Sequence, residues 1–370
     1  MEVVPLIFDS TFRGKVVLVT GHTGFKGSWL TAWLKQLGAN VIGLSLEPKS
    51  FPSHFHVADL AKGINDLRVD IRNQSDLQQT ILEHQPDFVF HLAAQSLVMN
   101  SYENPRDTWD TNVMGTLNVL EALRKLNKKC AAVIVTSDKC YDNAEWIWGY
   151  RETDALGGSD PYSASKAAAE LVIHSHIKSF FPRDTSKVRI ASARAGNVIG
   201  GGDWAEDRII PDCVKAWSRR EEVELRSPHA TRPWQHVLEP LSGYLNLAVA
   251  LSQRDEIHGE AFNFGPQSLE NHDVLSLVSE MGLHWNRVKW KVVAQPSTER
   301  HESSLLKLNC DKALHYLKWQ AVLGFKETVK LTAEWYKSFY DDSAEIGNLT
   351  KKQINNFCKA AKELGIPWAL

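Results

Sequence analysis

The sequence contains little cysteine: there are five cysteines among 370 residues, and no two of them have the spacing of a C-x-x-C motif. This number and spacing predict neither a zinc site nor a disulfide framework. Long hydrophobic runs are also missing, since no apolar stretch approaches the roughly 18 residues of a membrane-spanning helix. Residues 1–9 carry acidic charge and no basic residue, unlike an export signal. We therefore expect a cytoplasmic protein with reduced thiols, no metal and no membrane partner.

An excess of charge of one sign is absent as well. Lys and Arg number 42 against 44 for Asp and Glu, which gives a formal charge of -2 with no basic block. This balance argues against nucleic acid or an anionic membrane surface as a partner. The hydrophobic fraction of 43% excludes a disordered chain. The length suggests about two domains, and a small-molecule ligand is the expected partner.

Strand-like and helical patterns alternate in the first half of the chain. Short apolar runs at 16–19, 41–44, 88–92 and 133–135 are separated by segments with helical spacing, among them 29–37 and 116–126. This alternation is typical of βαβ units around a parallel sheet. The runs are apolar without strict alternation, as in strands that helices cover on both faces. The sequence therefore predicts an α/β fold.

The composition changes beyond residue 196. Glycine-rich and proline-containing segments separate helical patterns at 238–251, 274–281 and 328–340. We predict a nucleotide-binding domain over residues 1–195, to which part of 236–262 returns, and a smaller mixed domain over 196–370 that mainly binds substrate. A polar helix near 351–364 has no role that the sequence assigns.

A glycine-rich turn follows the first predicted strand directly. Glycines let the backbone turn sharply and approach a pyrophosphate, whose charge is attracted by the free N–H groups of the following helix. A tight strand-to-helix turn without a ligand is the alternative. The candidate cofactor residues of the turn are Gly21, His22, Gly24, Phe25, Lys26 and Gly27.

The usual acidic partner of the adenosine ribose is incomplete here. The second strand is followed by Ser45, and Glu47 lies two residues later. Lys26 and Lys49 keep a 2'-phosphate open as an alternative. We favour NAD because a reaction that begins with an oxidation requires the oxidised cofactor, and cellular NAD is mainly oxidised.

Tyr162 and Lys166 form the only Y-x-x-x-K motif in the sequence. On a helix these positions share one face, so the ammonium can favour the ionised phenol. Ser137, Asp138 and Lys139 follow a buried-type strand, at the edge of the sheet where ligands of α/β proteins bind. The alternative for Asp138 and Lys139 is a solvated ion pair in a loop. Together these five residues are the catalytic candidates.

Several ordered motifs resemble the extended short-chain dehydrogenase/reductase family, and within it the nucleotide-sugar 4,6-dehydratases that act on CDP-glucose. The resemblance implies a doubly wound Rossmann-type parallel sheet. The family motifs lie at residues 21–27, 91–94, 112–116 and 137–138 and at Tyr162 with Lys166. The finer resemblance rests on residues 21–30, 136–141, 196–204, 207–212 and 232–237.

The resemblance also implies roles for individual residues. Ser137 would bind the sugar O4, and Asp138 would protonate the departing C6 hydroxyl. Lys139 occupies a position where many dehydratases have a glutamate that removes the C5 proton, so Lys139 is either that base or a cation that stabilises the enolate. Further cofactor contacts are implied for Asp70, Ile71, Ala93, Ala94 and Gln95, together with Tyr162 and Lys166, and substrate contacts for Ser96, Asn197, Arg208 and Arg232.

The implied reaction oxidises C4, eliminates water across C5 and C6, and returns the hydride to C6. The alternatives are a 4-epimerase, which has no use for Asp138, a dehydratase for another nucleotide sugar, and a dinucleotide-binding protein without turnover. The family usually pairs subunits through helices near 108–126 and 164–180, so we expect a homodimer or a homotetramer. The resemblance places the product in deoxysugar synthesis for O-antigen lipopolysaccharide.

Overall fold

A computed structural model describes residues 7–225, 227–267, 272–293, 305–341 and 345–370. Its strands are β1 Val16–Thr20, β2 Asn40–Ser45, β3 Asn65–Arg68, β4 Phe88–His91, β5 Cys130–Val135, β6 Val188–Ala195, β7 Val198–Ile199, β8 Val223–Leu225, β9 Thr231–Arg232, β10 Gln235–His236, β11 Ala261–Phe264, β12 His272–Asp273 and β13 Trp290–Val292. Its helices are α1 Phe25–Gln36, α2 His54–Val57, α3 Gln74–His84, α4 Val98–Glu103, α5 Pro105–Trp109, α6 Gly115–Arg124, α7 Pro161–Phe180, α8 Ile209–Ser218, α9 Leu238–Gln253, α10 Val274–His284, α11 Asp311–Leu317, α12 Phe325–Tyr340 and α13 Ile346–Glu363. A π-helical segment, Asp110–Met114, joins α5 to α6.

Seven strands form one parallel sheet in the order β11-β6-β5-β4-β1-β2-β3. The chain winds outward from β1 to β3 and then returns past β1 to β4, so the order reverses between β1 and β4. Ligands of such sheets bind at this reversal, beyond the carboxyl ends of the strands. The predicted doubly wound Rossmann-type fold is therefore confirmed, and the sheet order places the ligand site beside the glycine-rich turn.

The central strands are buried on both faces. Val17 and Val19 of β1 enter one apolar cluster, whereas Leu18 between them enters the cluster on the opposite face. Because successive side chains of a strand point to opposite faces, both faces of the sheet must be covered by helices. This explains the continuous apolar runs in the sequence.

Part of the C-terminal half belongs to the central sheet. β11 pairs with β6 in parallel, and α9 packs against β5 and β6. The small sheets β7/β10, β8/β13 and β9/β12 lie in the remaining part. The terminal helix α13, which the sequence left without a role, packs on α1, where the rings of Trp33 and Phe357 are 5.7 Å apart. The division into domains at 1–195 and 196–370 stays a prediction.

Within the described ranges, no helix combines the length and the apolar character that crossing a bilayer requires. All five cysteines are free thiols, and four of them are buried. The same ranges contain no group of His, Cys, Asp and Glu side chains that could hold a metal ion.

Two helical glycines make a matched test of the packing. A Cβ at Gly243 in α9 would lie 2.2 Å from Cδ1 of the buried Phe264 ring, whereas one at Gly282 in α10 would meet nothing closer than 3.7 Å. Overpacking costs about 1–3 kcal/mol, and alanine gains up to about 1 kcal/mol over glycine in a helix. We expect Gly243→Ala to lower the melting temperature and Gly282→Ala to leave it unchanged or raise it in thermal unfolding. Equal effects of the two variants would contradict this account of the core.

Candidate functional site

The glycine-rich turn has room only for glycine at two points. Gly21 has a φ of +76°, and a Cβ on it would lie 2.7 Å from the backbone N of Ala93. A Cβ on Gly27 would lie 2.0 Å from the carbonyl oxygen of Gly21. The first residue of α1 follows Gly24, which has no side chain to cap the helix. The turn therefore fits the pyrophosphate of a dinucleotide, which free N–H groups at a helix start attract.

Two of the predicted cofactor residues have side chains that point away from this turn. The His22 ring is fully buried, and its Nε2 lies 2.7 Å from Oδ1 of Asp66 on β3. The Gln95 side chain is also buried and donates to Oγ1 of Thr108 at 2.9 Å. A contact of either residue with a cofactor would therefore come from its backbone.

The other predicted cofactor positions lie at the carboxyl ends of β3 and β4. Asp70 is half-buried, and its carboxylate accepts a hydrogen bond from Nη2 of Arg72 at 2.6 Å. Ile71 is buried under Gly115. Ala93 and Ala94 are half-buried after β4, on the edge of the sheet that faces the turn.

Asn112 holds the segment after β4 against α7. Its Oδ1 accepts from the backbone N of Gln95 at 2.9 Å, while its Nδ2 donates to the Gln95 carbonyl and to Oγ of Ser165. Asn112 lies in the π-helical segment, and such segments are frequent at functional sites. The Asn112 amide donates both of its Nδ2 hydrogen bonds to these partners, so the side chain fixes the position of this segment relative to α7.

The structure brings the catalytic candidates together. Ser137 and Asp138 follow β5 and are buried, as are Tyr162 and Lys166 on α7, while Lys139 is half-buried. The Ser137 hydroxyl donates to Oδ1 of Asp138 at 2.9 Å. The helix begins where Asp160 caps it, because its carboxylate accepts from the backbone N of Ser163 at 2.9 Å.

Burial shifts the pKa of Tyr162, Asp138 and Lys166 toward the uncharged form of each group. It raises the pKa of Tyr162 to about 12, although a hydrogen bond with Ser137 opposes the shift. It also raises the pKa of the Asp138 carboxyl, against the opposing charge of Lys139. The pKa of Lys166 is lowered to about 8 by the same cause. Asp138 is therefore suited to donate a proton.

Lys26 occupies the second position of α1, beside the catalytic candidates, and its predicted contact with the cofactor stays a prediction. Its ammonium interacts electrostatically with Asp138, Arg208 and Lys166, and burial lowers its pKa to about 8. Its position one residue into α1 points the side chain toward the catalytic cluster. The sequence analysis did not place this lysine near the catalytic candidates, because only the fold brings the start of α1 next to the end of β5.

The predicted substrate residues fall into two groups. Arg208 donates to Oδ2 of Asp203 at 2.8 Å, and its Nη2 lies 3.3 Å from Oγ of Ser96. Coulombic interaction with Tyr162 connects Arg208 to the catalytic cluster. Asn197 and Arg232 lie on separate segments, next to β7 and in β9. Asp203, which orients Arg208, was missed by the sequence analysis.

Comparison with known proteins agrees with this geometry. The family model for GDP-mannose 4,6-dehydratase matches residues 18–332. The CDP-glucose 4,6-dehydratase of Salmonella typhimurium is 43% identical over 96% of this chain and 99% of its own length.

Solved structures share the fold. The epimerase Mth375 of Methanothermobacter thermautotrophicus superposes with a TM-score of 0.78 at 25% identity, over 94% of this chain and 98% of its own. A UDP-glucose 4-epimerase of Stenotrophomonas maltophila superposes with a TM-score of 0.76 at 22% identity, over 89% of this chain and all of its own. The predicted membership of the extended short-chain dehydrogenases/reductases is confirmed, and the chain belongs to the GDP-mannose 4,6-dehydratase family.

Proposed function

We propose that this protein converts CDP-glucose to CDP-4-keto-6-deoxyglucose with NAD as a resident cofactor. The single observation that carries the proposal is the buried Asp138 carboxyl, which hydrogen-bonds to Ser137 and has a raised pKa. An acid that keeps its proton is what expulsion of the C6 hydroxyl requires. A 4-epimerase would share Ser137, Tyr162 and Lys166 but would have no use for this acid.

The choice of NAD is supported by the location of charge. The turn at Gly21 and Gly27 leaves room for a pyrophosphate, and Ser45 at the end of β2 is hydrogen-bonded to Thr23 at 2.8 Å. Lys26, one of the two lysines that left a 2'-phosphate open, interacts with Asp138 and so faces the sugar end of the site. A bound nicotinamide would accept a hydride from C4 of the sugar and return it to C6.

The chain supplies the proton transfers. In its ionised form, which the neighbouring Lys166 ammonium favours, Tyr162 accepts the O4 proton as C4 becomes a ketone, and Ser137 orients that oxygen by hydrogen bonding. The ketone acidifies C5, whose proton leaves as Asp138 protonates the C6 hydroxyl, and water departs. Lys139 beside Asp138 is the proposed base or enolate partner, and Lys26 is a second amine in the same cluster. Hydride return to C6 and reprotonation of C5 complete a reaction that loses one water and is redox-neutral.

The nucleotide end is assigned to polar groups that lie mainly in the C-terminal half. Arg208, held by Asp203, is proposed to bind the diphosphate through paired hydrogen bonds, with Ser96, Asn197 and Arg232 as further contacts. We also propose a cytoplasmic location, in keeping with five free thiols. The product would be an intermediate for deoxysugars of a bacterial O-antigen lipopolysaccharide.

Helices α5 and α6 each pack on α7, and α5, the π-helical segment and α7 carry exposed apolar side chains. Trp109 and Met114 are 40% and 47% exposed, and Leu171 is 60% exposed. Exposed apolar side chains that cluster mark protein interaction sites. We propose that these helices pair two subunits, in a homodimer or as half of a homotetramer.

The reaction is tested with CDP-glucose that carries deuterium at C4. We expect a product lighter by one water whose deuterium lies in the C6 methyl group, as measured by mass spectrometry and NMR. UDP-, dTDP- and GDP-glucose are offered in parallel. Turnover of one of these alone would overturn only the nucleotide assignment, whereas an isomer of unchanged mass would identify an epimerase.

Asp138→Asn should separate oxidation from elimination. The amide cannot donate a proton to the leaving hydroxyl, so we expect elimination to slow by about 100-fold or more while C4 oxidation stays near the wild-type rate. Single-turnover absorbance follows the reduced nicotinamide, and quenched samples report loss of water. Asp142→Asn, at an exposed carboxyl four residues later, is the matched control and should change neither step. Equal loss of both steps in Asp138→Asn would refute the assignment.

Leu171→Asp should weaken the proposed subunit contact. A buried aspartate without a partner is costly, so we expect light scattering to show a smaller assembly at low micromolar concentration. Leu283 in α10 is 75% exposed and lies outside these helices, so Leu283→Asp is the control. An unchanged mass for Leu171→Asp would place the subunit contact elsewhere.

A further inference from the structure

A buried ion pair lies directly behind the catalytic residues. Glu170 follows Lys166 by one turn of α7, and Arg194 lies on β6. Nη2 of Arg194 donates to Oε2 of Glu170 at 2.9 Å and Nε donates to Oε1 at 3.0 Å, and both side chains are 4% exposed. Neither residue was among the site residues that the sequence predicted.

The pair forms hydrogen bonds with both ends of the segment that carries Ser137 and Asp138. At one end, Thr136 donates a hydrogen bond to Oε1 of Glu170. At the other end, Nη1 of Arg194 donates to the Tyr141 hydroxyl at 2.8 Å, and the guanidinium lies 5.0 Å from the centre of that ring.

Neighbouring groups complete the network. Ser192 donates to Oε2 of Glu170 at 2.9 Å, and the Tyr141 hydroxyl donates to Oδ1 of Asn263 at 2.8 Å. Arg194 also donates to the Glu152 carbonyl. A well-packed apolar cluster is often as stable as a buried ion pair, so stability alone does not account for this network.

Glu170, one turn after Lys166 on α7, also interacts electrostatically with Lys166. Burial lowers the pKa of Lys166, and interactions with Cys140 and Glu170 oppose it. Burial raises the pKa of the Cys140 thiol well above its ordinary value, so that thiol is neutral near pH 7. Burial also raises the pKa of Glu170, but Arg194 and the hydrogen bonds outweigh it and keep the carboxylate ionised.

The other groups that face Lys166 supply no negative charge. Tyr162, one turn earlier on α7, is neutral because burial raises its pKa to about 12. His91 at the end of β4 is neutral because burial lowers its pKa to about 3. Lys26 from α1 repels Lys166 when both are protonated. Glu170 is therefore the carboxylate that opposes deprotonation of Lys166.

We propose that the Glu170–Arg194 pair is a positioning device for catalysis: it fixes the Thr136–Tyr141 segment beside α7, and its carboxylate keeps Lys166 in the ammonium form that Tyr162 requires. This inference rests on the proposed dehydratase function. Glu170 acts through Lys166 and Thr136 and touches no reacting atom.

The charge part of the proposal is tested with Glu170→Gln. Loss of the carboxylate lowers the pKa of Lys166, and the ammonium form is lost as pH rises through that pKa. In the pH–rate profile of the first hydride transfer, the alkaline limb should therefore move to lower pH. The expected shift is roughly 1 pH unit for the loss of one charge at helical i,i+4 distance. The measurement is single-turnover reduction of NAD by CDP-glucose across neutral and alkaline pH.

Two further variants keep the test decisive. If the lone Arg194 charge prevents Glu170→Gln from folding, the double variant Glu170→Gln/Arg194→Gln leaves two neutral amides and should shift the limb in the same direction. Thr136→Val removes one anchor of the segment without changing any charge. It should lower kcat by about tenfold and leave the alkaline limb in place.

Glu239→Gln is the matched control. Glu239 is another fully buried carboxyl group, whose pKa burial raises to about 8, and it accepts hydrogen bonds from the backbone N–H groups of Val322 and Leu323, away from α7. This variant should lower the melting temperature without moving the alkaline limb. An unshifted limb in the charge variants, or an unchanged kcat in Thr136→Val, would overturn the corresponding half of the proposal. A wild-type protein that reduces no NAD with CDP-glucose would instead refute the dehydratase function itself.

Discussion

The site depends on the close approach of two backbone segments between β1 and β4. The turn after β1 passes so near the residues after β4 that a Cβ on Gly21 would lie 2.7 Å from the backbone N of Ala93. This approach is available because the sheet order reverses there, which leaves a crevice beyond the strand ends. The start of α1, the end of β5 and the face of α7 all border this crevice. Every assigned catalytic group is attached to one of those elements.

Burial then sets the chemistry of the groups around the crevice. It favours the neutral forms of Tyr162, Asp138 and Lys166 alike, since each charged form loses water. The proposed oxidation uses the ionised phenol of Tyr162 and the ammonium of Lys166, so neighbouring charge must stabilise these two forms against burial. The ionic groups that do stay charged, Glu170 and Arg194, are fixed by several hydrogen bonds each. The site therefore consists of titratable groups that border the crevice and an ionised Glu170–Arg194 pair that lies behind them.

The sequence predicted those strands and helices that the residue pattern of a short segment is enough to specify. Apolar runs predicted β1, β2, β4 and β5, and helical spacing predicted α6, α9 and α12 within a few residues of their observed bounds. β3, Asn65–Arg68, is polar and lies at the sheet edge, so hydrophobic patterning carried little signal for it.

Side-chain direction could not be predicted in the same way. The motif that contains His22 specifies a backbone path, and the ring turns inward to Asp66 because Gly43 leaves space for it. Glu170 and Arg194 are 24 residues apart, and only the adjacency of α7 and β6 shows that they form a pair. No regular spacing in the sequence identifies two residues on different elements as partners.

The lysine at position 139 is consistent with the charge distribution of the whole site. Lys26 and Lys139 interact electrostatically with Asp138, Arg208 interacts with Tyr162, and Asp203 accepts a hydrogen bond from Arg208. Deprotonation at C5 places negative charge on the ketone oxygen, and preorganised cations stabilise such an enolate strongly in a site that excludes water. A carboxylate at position 139 would oppose that charge as it forms. In the proposed reaction, a positively charged side chain at position 139 supports the enolate as its charge develops.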